Sequence, residues 1–290
     1  MNHFCIGSAN FDQLYGIKNS IRISDTDIEK IIINSFENKN YYLDTSPTYG
    51  NTEKKIGYIL NKNSFNEKAN CISKIDYRIN LHDTDLIYKS VINSLNNLHV
   101  KSLWGLLLHR IPSNIDSKFY DLIYRLKEEN LIKNFGISIY EPNDAILFAN
   151  NKMIDVIQVP FNCIDRRLID NNFFDICKDN NTIPMVRSVY LQGALLMSKK
   201  SIINSQISWA QKELNEFFNF CENNNINPLS MCINSVNHYL KNSIIVIGFN
   251  NYVEYKESLN VFNNDNNYIF NEWWDNLSLY SDRLLNPTKW

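Results

Sequence analysis

The sequence has no excess of charge of either sign. Its 290 residues contain 29 Lys and Arg against 31 Asp and Glu, which gives a formal net charge of -2 at pH 7. A protein that binds nucleic acid or an anionic membrane needs surplus cations, because the phosphates it contacts must be neutralised. We therefore expect neither nucleic acid nor a membrane among its partners.

Long apolar segments are missing as well. No run of about 18 apolar residues occurs, which is the length that a transmembrane helix needs. Residues 1–6 do not provide the basic segment and the apolar stretch of about 7 to 15 residues that are typical of a secretory signal. We accordingly expect a cytoplasmic protein.

Paired cysteines are also absent from the sequence. The six cysteines are Cys5, Cys71, Cys163, Cys177, Cys221 and Cys232. None forms a C-x-x-C pair and none has a histidine at zinc-ligand spacing, so the sequence indicates neither a zinc site nor a redox motif. Buried, reduced thiols are the expected state of these side chains in a reducing cytoplasm.

The overall composition is that of an ordinary globular protein, with 44% hydrophobic and 21% charged residues. These values exclude a disordered, collagen-like or coiled-coil chain. At about 150 residues per domain the length would give two domains, but an α/β barrel uses roughly 250 residues for one.

Eight short β-rich segments alternate along the chain with amphipathic segments of helical period. Ile28, Ile31, Ile32 and Phe36 illustrate the helical spacing. Ser24-Asp25 and Thr84-Asp85 precede two of the helical segments and can cap them. The candidate strands are residues 3–7, 41–45, 70–75, 102–109, 132–138, 154–159, 183–189 and 244–248.

The order of these segments predicts an α/β barrel. Eight βα units with right-handed crossovers can close on themselves, whereas a doubly wound sheet usually begins with a Gly-rich turn, and no G-x-G-x-x-G occurs. The last two candidate strands are unusually far apart, which leaves room for an extra helix at about 209–223. We predict one domain over residues 1–290, a (β/α)8 TIM barrel with an extra helix and a long loop after strand seven and an aromatic C-terminal tail, residues 268–290.

Four chemically active side chains lie at or just after predicted strand ends, where TIM barrels carry their active sites. They are Asp44, Tyr49, Lys74 and His109. Taken singly, each has a structural explanation, as a turn cap, a packed ring, a solvated amine or a hydrogen-bonded interior imidazole. Taken together, they suit carbonyl reduction. A phenol near an ammonium can protonate an alkoxide, while a carboxylate balances the amine and a neutral imidazole orients the carbonyl.

Residues 43–57, LDTSPTYGNTEKKIG, resemble the aldo-keto reductase signature D-T-A-x-x-Y-G-x-S-E-x-x-L-G. The resemblance continues in order through residues 72–74, 107–110, 135–138, 158–162, 188–196 and 247–248, and covers residues 7–259. It implies a TIM barrel that reduces an aldehyde or ketone with NADP(H) or NAD(H). It also implies that Asp44, Tyr49, Lys74 and His109 form the catalytic tetrad, with Tyr49 as general acid.

The same resemblance assigns residues to the nicotinamide half of the cofactor. Ser138 and Gln158 match positions that bind the carboxamide, although Ile139 stands where many members have Asn. Arg187 occupies the position of an aromatic ring that stacks on the nicotinamide, and a planar guanidinium can stack instead. Leu191 and Gly193 belong to a loop over the pyrophosphate. Gly7 and Ser8, at the end of strand one, are assigned to the cofactor as well.

For the adenosine half, Gly248 and Asn250 lead into a helix whose N-terminus can bind a phosphate. Ser258 replaces the Asn that commonly meets adenine. Family members that prefer NADP usually have an Arg or Lys near this turn, where this sequence has Glu254. The carboxylate of Glu254 would repel the 2′-phosphate of NADP or bind the ribose hydroxyls of NAD. The resemblance therefore leaves the choice between NADP(H) and NAD(H) open, with a preference for NAD.

Two other function classes compete with the reductase. The first is a regulatory or assembly subunit that binds the nucleotide on the same barrel with little turnover. The second is a metal-dependent hydrolase, which the histidines do not support because they form no H-x-H or H-x-x-x-H pair. Several loop segments also resemble those of a bacterial subgroup of the aldo-keto reductases that is associated with sugar and polysaccharide metabolism. The sequence specifies neither the substrate nor the oligomeric state.

Overall fold

A computed structural model describes residues 1–17, 22–112, 115–264 and 270–290, with the side chains of residues 271 and 272 left undescribed. The first two residues of the predicted tail, 268 and 269, lie outside the described residues.

Within these ranges, eight parallel strands form a closed barrel in sequential order, so the predicted (β/α)8 fold is confirmed. The strands run β1 His3–Gly7, β2 Tyr42–Asp44, β3 Asn70–Ile75, β4 Leu103–Leu108, β5 Ile132–Ser138, β6 Val156–Pro160, β7 Ile183–Arg187 and β8 Ile244–Ile247. β2, β4, β7 and β8 end one or two residues earlier than the sequence suggests. Thr45, His109 and Ser188 therefore belong to the loops at the mouth of the barrel.

Two layers of apolar packing follow from the alternation of side chains along each strand. A small cluster comes from six different strands, so its members must point into the lumen: Cys5, Ile72, Leu107, Val156, Met185, Ile244 and Val246. A much larger cluster lies between the outer faces of the strands and the surrounding helices. The barrel is therefore a filled core and not a pore.

The surrounding helices occupy the segments with helical period. They are α1 Asp25–Glu37, α2 Thr52–Lys62, α3 Thr84–Leu98, α4 Ser117–Glu128, α5 Pro142–Ala149, α6 Arg167–Asp170, α7 Phe173–Asp179, α8 Lys199–Ile203, α9 Gln211–Asn223, α10 Pro228–Tyr239, α11 Tyr252–Asn263, α12 Phe270–Asn276 and α13 Asp282–Leu285. The extra helix predicted at about 209–223 is α9, and it lies between β7 and β8. None of the helices in the described ranges has both the length and the apolar character needed to cross a bilayer.

One of the two predicted helix caps is confirmed and the other is wrong. Ser24 caps α1, and its hydroxyl oxygen accepts a hydrogen bond of 3.0 Å from the backbone N–H of Asp27. At α3 the cap is Asp83, whose carboxylate accepts from the N–H of Leu86, so Thr84 and Asp85 already lie inside the helix. A carboxylate is preferred at this position because it also interacts favourably with the helix dipole.

The aromatic tail covers the outside of the barrel. The Trp274 ring stacks on Phe161 with centroids 5.6 Å apart, and the Trp273 ring lies 4.4 Å from that of Phe220 on α9. Neither described cavity at the mouth of the barrel is lined by a described residue of this tail. The described part of the tail packs on the loops after β5 and β6, where Asn286 donates to Glu141 at 2.8 Å and Arg166 donates to the backbone oxygen of Leu277 at 3.3 Å, and it lines neither cavity.

All six cysteines are buried free thiols. Burial raises the pKa of Cys71, Cys177 and Cys221 to about 12. These three thiols therefore stay protonated and unreactive near neutral pH.

α2 packs directly on the backbone of α3 at Gly57, and we predict that Gly57→Ala destabilises the fold. A Cβ at this position would lie 1.9 Å from the backbone oxygen of Asn97, which no side-chain rotation can relieve. The helices would have to separate, at a cost of about 1 to 3 kcal/mol that exceeds the gain of about 1 kcal/mol in helix propensity. Urea unfolding measures the difference.

Gly105→Ala serves as the control, because a Cβ there meets Ile72 at an ordinary 3.5 Å. We expect its free energy of unfolding to stay within about 1 kcal/mol of that of the wild type. Equal stability of the two variants would contradict the close packing of α2 on α3.

Candidate active site

A cavity of about 550 Å³ opens at the ends of the strands, at the mouth of the barrel. Most of the residues singled out in the sequence line it: Gly7, Asp44, Tyr49, His109, Ser138, Gln158, Arg187, Gly193, Gly248, Asn250, Glu254 and Ser258. The remaining three, Ser8, Lys74 and Leu191, are buried and lie outside this lining. The fold therefore brings side chains from all parts of the chain to one place.

The strand period explains why these side chains converge. Residues two apart on a strand point to the same side, so a residue two positions after a lumen side chain lies directly above it at the mouth. The pairs of lumen residue and site residue are Cys5 and Gly7, Ile72 and Lys74, Leu107 and His109, Val156 and Gln158, Met185 and Arg187, and Val246 and Gly248. The site is thus the top layer of the barrel core.

A buried ion pair forms the floor of the site. Lys74 Nζ donates to Asp44 Oδ1 at 2.7 Å and to the backbone oxygen of Thr45 at 2.9 Å. The two side chains are only 1% and 9% exposed. Burial by itself lowers the pKa of Lys74, but the attraction of Asp44 and Tyr49 outweighs it, so the pKa is raised and the amine stays charged.

Gln158 ties this ion pair to the opposite side of the barrel. Its amide nitrogen donates to Asp44 Oδ1 at 2.9 Å, and its amide oxygen accepts from the Ser138 hydroxyl at 3.0 Å. Ser138 and Gln158 are register partners on β5 and β6. A continuous chain of hydrogen bonds therefore crosses the lumen from Ser138 to Lys74.

Tyr49 lies above this floor, in the loop between β2 and α2. Lys74 Nζ is 5.2 Å from the centroid of its ring, and the His109 ring is 5.9 Å away at 80°. Burial raises the pKa of Tyr49, whereas Lys74 and Arg187 lower it. The net shift is upward, so Lys74 acts in the expected direction but does not overcome burial.

His109 is a neutral imidazole. Its pKa is lowered to about 3, mainly by burial and further by the charges of Lys74, Arg187 and Arg110. The Nδ1 atom lies 3.5 Å from the hydroxyl of Ser46 and 3.4 Å from that of Thr48. Sequence reasoning missed these two hydroxyls, although both belong to the signature segment.

Arg187, at the end of β7, contacts two neighbouring side chains. Its guanidinium lies 4.1 Å from the ring centroid of Tyr140, and Nη1 donates to the Ser188 hydroxyl at 3.2 Å. Nη2 is buried and has no hydrogen-bond partner within the described chain. Tyr140 lines the cavity and was not identified from the sequence.

The predicted pyrophosphate loop has an unusual backbone. Leu191, Gln192 and Gly193 all have positive φ, of 47°, 53° and 94°. Apart from Gly193 and its two neighbours in the chain, no atom of the described residues lies within 4 Å of where a Cβ of Gly193 would be, so the loop presents open backbone at this point. The loop contacts the segment after β1 through a hydrogen bond from the N–H of Ile17 to the oxygen of Gln192.

The far end of the cavity carries two carboxylates. Glu254 Oε2 accepts from the backbone N–H of Asn250 at 2.9 Å and from its side-chain amide at 3.0 Å. Glu257 also lines the cavity, which the sequence reasoning missed. Ser258 is turned away from this acidic pair, since its hydroxyl donates to the backbone oxygen of Glu254 and lies 2.8 Å from Tyr190 Oη.

Few cations oppose these acids. In the described lining of the cavity Arg187 is the single Lys or Arg, and Lys256, the nearest base in sequence, is not part of it. The described residues also contain no group of three His, Cys, Asp or Glu that could hold a metal ion.

The buried ion pair leads to a prediction about stability. Lys74→Met should lower the free energy of unfolding by about 3 to 5 kcal/mol, because Asp44 would be left buried without its cation. Denaturant unfolding at neutral pH measures this loss. Lys62→Met is the matched control. It breaks a surface pair with Glu29 and should leave stability nearly unchanged.

Comparison with known proteins agrees with this architecture. The model of the Aldo/keto reductase family matches residues 4–269. An aldo-keto reductase from Bacillus halodurans in its holo form superimposes with a TM-score of 0.75 at 16% identity, over 97% of this chain and 95% of that one. A thermostable aldo-keto reductase in complex with the inhibitor epalrestat gives a TM-score of 0.70 at 16% identity, over 95% and 94% of the two chains.

A search of curated proteins found no match. At these identities the structural similarities show the common fold, whereas the family model covers nearly the whole barrel. The match over residues 4–269 makes this chain a member of the aldo-keto reductase family, and thereby an oxidoreductase of the class that reduces carbonyl groups with NAD(P)H.

Proposed function

We propose that this protein reduces an aldehyde or a ketone to an alcohol with NADH or NADPH, and that Tyr49 is the proton donor. The observation that carries the proposal is the convergence of Tyr49, His109 and the buried Asp44–Lys74 pair at one cavity. These three elements supply a proton, a hydrogen-bond donor and a fixed charge at the same point.

The cavity fits a nicotinamide dinucleotide. Its volume of about 550 Å³ lies within the range of roughly 300 to 1,000 Å³ that is typical of small-molecule sites. The buried Nη2 of Arg187, which has no partner among the described residues, is a donor in need of an acceptor, and the open backbone at Gly193 gives access to a bulky group. When bound, the cofactor supplies the hydride for the carbonyl carbon.

Tyr49 is suited to donate a proton because it stays protonated. Burial holds its pKa above the ordinary value, so the phenol is intact at neutral pH. As negative charge grows on the carbonyl oxygen, the nearby ammonium of Lys74 stabilises the phenolate that proton transfer leaves behind. Asp44 keeps that ammonium in place.

His109 is suited to orient the carbonyl. Because its pKa is about 3, the imidazole is neutral at neutral pH and carries one N–H. In the tautomer that carries its proton on Nε2, Nδ1 accepts from the Ser46 or the Thr48 hydroxyl, and the Nε2–H can be donated to the carbonyl oxygen. A neutral donor stabilises the developing charge without competing with Tyr49 for the proton transfer.

Ser138 and Gln158 are proposed to bind the carboxamide of the cofactor. The amide oxygen of Gln158 accepts one hydrogen bond from Ser138 and retains a second lone pair for a carboxamide N–H. The bond from Gln158 to Asp44 fixes which end of the amide faces the cavity.

The other proposed cofactor contacts are distributed along the wall of the cavity. Arg187 would stack on the nicotinamide with the guanidinium face that Tyr140 does not cover. Leu191 and Gly193 would adjoin the pyrophosphate, with Gly7, Ser8 and Gly248 beside them. Asn250, Glu254 and Ser258 would contact the adenosine half.

The first test is the replacement of Tyr49. We expect Tyr49→Phe to lower kcat by about 10² to 10⁴, the usual contribution of general acid catalysis, with nearly unchanged cofactor affinity. Steady-state assays with an aldehyde panel that includes sugars, together with a cofactor titration, measure both effects. Tyr58→Phe on the exposed face of α2 is the control and should behave as the wild type.

Full activity of Tyr49→Phe would remove Tyr49 from this role. A wild type that binds cofactor but reduces no member of a broad carbonyl panel would instead favour the regulatory or assembly subunit.

The second test concerns the choice of cofactor. Glu254 and Glu257 line the far end of the cavity without a facing base in the described lining, so NADH should bind as tightly as NADPH or more tightly. Glu254→Gln keeps an acceptor for Asn250 but removes one charge. It should shift the ratio of the two Kd values toward NADPH by about fivefold or more, since even at the dielectric constant of water two charges 4 Å apart repel by about 1 kcal/mol.

Glu222→Gln, which breaks a surface pair with Lys199, should leave that ratio unchanged. A hundredfold preference of the wild type for NADPH would reject the assignment of Glu254 to the adenosine ribose.

A further inference from the structure

His109 lines a second cavity, which the proposed reaction does not use. This cavity has a volume of about 290 Å³ and is formed by the loops after β3 and β4. Its lining includes the apolar residues Ile75, Leu108, Ile111 and Pro112. A ligand in this cavity would therefore lie next to the imidazole that is proposed to hold the reacting carbonyl.

Two side chains of this cavity form a stacked pair beside His109. The Tyr77 ring lies 5.8 Å from the His109 ring at 72°, and the Arg110 guanidinium lies 4.0 Å from the centroid of Tyr77 on its face. Tyr77 therefore contacts both the imidazole of His109 and the guanidinium of Arg110. A guanidinium held by its face keeps its in-plane N–H groups for an anion.

The charges around Arg110 leave it as the cation available to a ligand. Asp76, the acid in this lining, is held by Arg78, which donates to Oδ1 from its backbone N–H at 3.0 Å and from Nε at 2.9 Å, and also binds Oδ2 through Nη2. His82 is engaged with Asp116, with Nδ1 2.7 Å from Oδ2. Arg110 has no carboxylate partner within the described part of the chain.

We propose that the second cavity binds the anionic end of the carbonyl substrate, with Arg110 as its anchor and Tyr77 as the ring along which the substrate lies. The substrate class is an aldehyde or ketone that carries a carboxylate, or a group of similar charge, separated from the carbonyl by an apolar or aromatic spacer. The apolar wall of the cavity contacts the spacer, and the N–H groups of Arg110 bind the anion. This inference rests on the proposed reductase function of the main cavity.

The experiment compares para-carboxybenzaldehyde with its methyl ester, two aldehydes that differ in one negative charge. We expect the wild type to have a higher kcat/KM for the acid than for the ester. Arg110→Gln should lower the ratio of the two kcat/KM values by about 10-fold to 100-fold, mainly through the KM of the acid, because a hydrogen-bonded ion contact is lost. Arg110→Lys should retain part of the preference because it keeps the charge without the planar fork.

Arg125→Gln is the matched control. Arg125 is also stacked on a tyrosine, Tyr88, at 4.5 Å, but it lies on α4 away from both cavities. It should leave the acid-to-ester ratio as in the wild type. A ratio that does not change in Arg110→Gln, while the ester is still reduced, would overturn the anion site and leave the reductase function intact.

Binding measurements separate the two proposals if the wild type reduces neither aldehyde. In that case the reductase proposal fails with this panel, and calorimetric titration of both compounds decides the anion site. Tighter binding of the acid than of the ester, lost in Arg110→Gln, would support the site. Equal binding of the two compounds would refute it.

Discussion

The site depends on one buried ion pair, between Asp44 on β2 and Lys74 on β3. Two charges removed from water are stable only if each is paired and its remaining hydrogen bonds are satisfied. Here Lys74 has the carboxylate and a backbone oxygen, and the same carboxylate oxygen also accepts from Gln158 on the opposite side of the lumen. The pair therefore fixes the position of strands that are distant in sequence and places a permanent positive charge under Tyr49.

That charge is part of an arrangement that keeps neighbouring groups in distinct protonation states. Lys74 is charged, His109 is neutral and Tyr49 is protonated, and each state follows from the balance of burial and local charge. Burial acts on all three, but only Lys74 has a counter-ion at hydrogen-bond distance, and so it alone remains ionised. Groups that titrate at separate pH values can take separate roles in one proton transfer.

The two ends of the main cavity differ in charge. Cations surround Tyr49 and His109, whereas Glu254 and Glu257 line the other end. The floor is held by side chains of the barrel strands, which are rigid, while the far end is held by loops and by the start of α11. The ion pair and Gln158 thus lie on barrel strands, whereas Tyr49, His109 and the contacts at the far end lie on loops or at a helix start.

Much of this protein could be predicted from its sequence. The alternation of β-rich and amphipathic segments gives the barrel, because each period is a local property of the chain. The positions of Asp44 and Tyr49 follow from a contiguous signature, and those of Lys74 and His109 from shorter matches farther along the chain. The rule that active sites lie at strand ends predicts that all four meet at the mouth. The cap of α3 is Asp83 and not Thr84-Asp85, because Asp, Thr and Asp in a row all suit a cap and only the folded backbone selects Asp83.

Contacts between residues distant in sequence could not be predicted in this way. The bond from Gln158 to Asp44, the stacking of Arg187 on Tyr140 and of Arg110 on Tyr77, and the position of Glu257 on the cavity wall have no local signal. The sequence by itself determined the barrel and the residues at the ends of its strands, because the alternation of β-rich and amphipathic segments is a property of residues that are close together in the chain. Only the tertiary structure decided which of those side chains meet and which charges prevail, because closure of the barrel sets the distances across the lumen and the burial of each group.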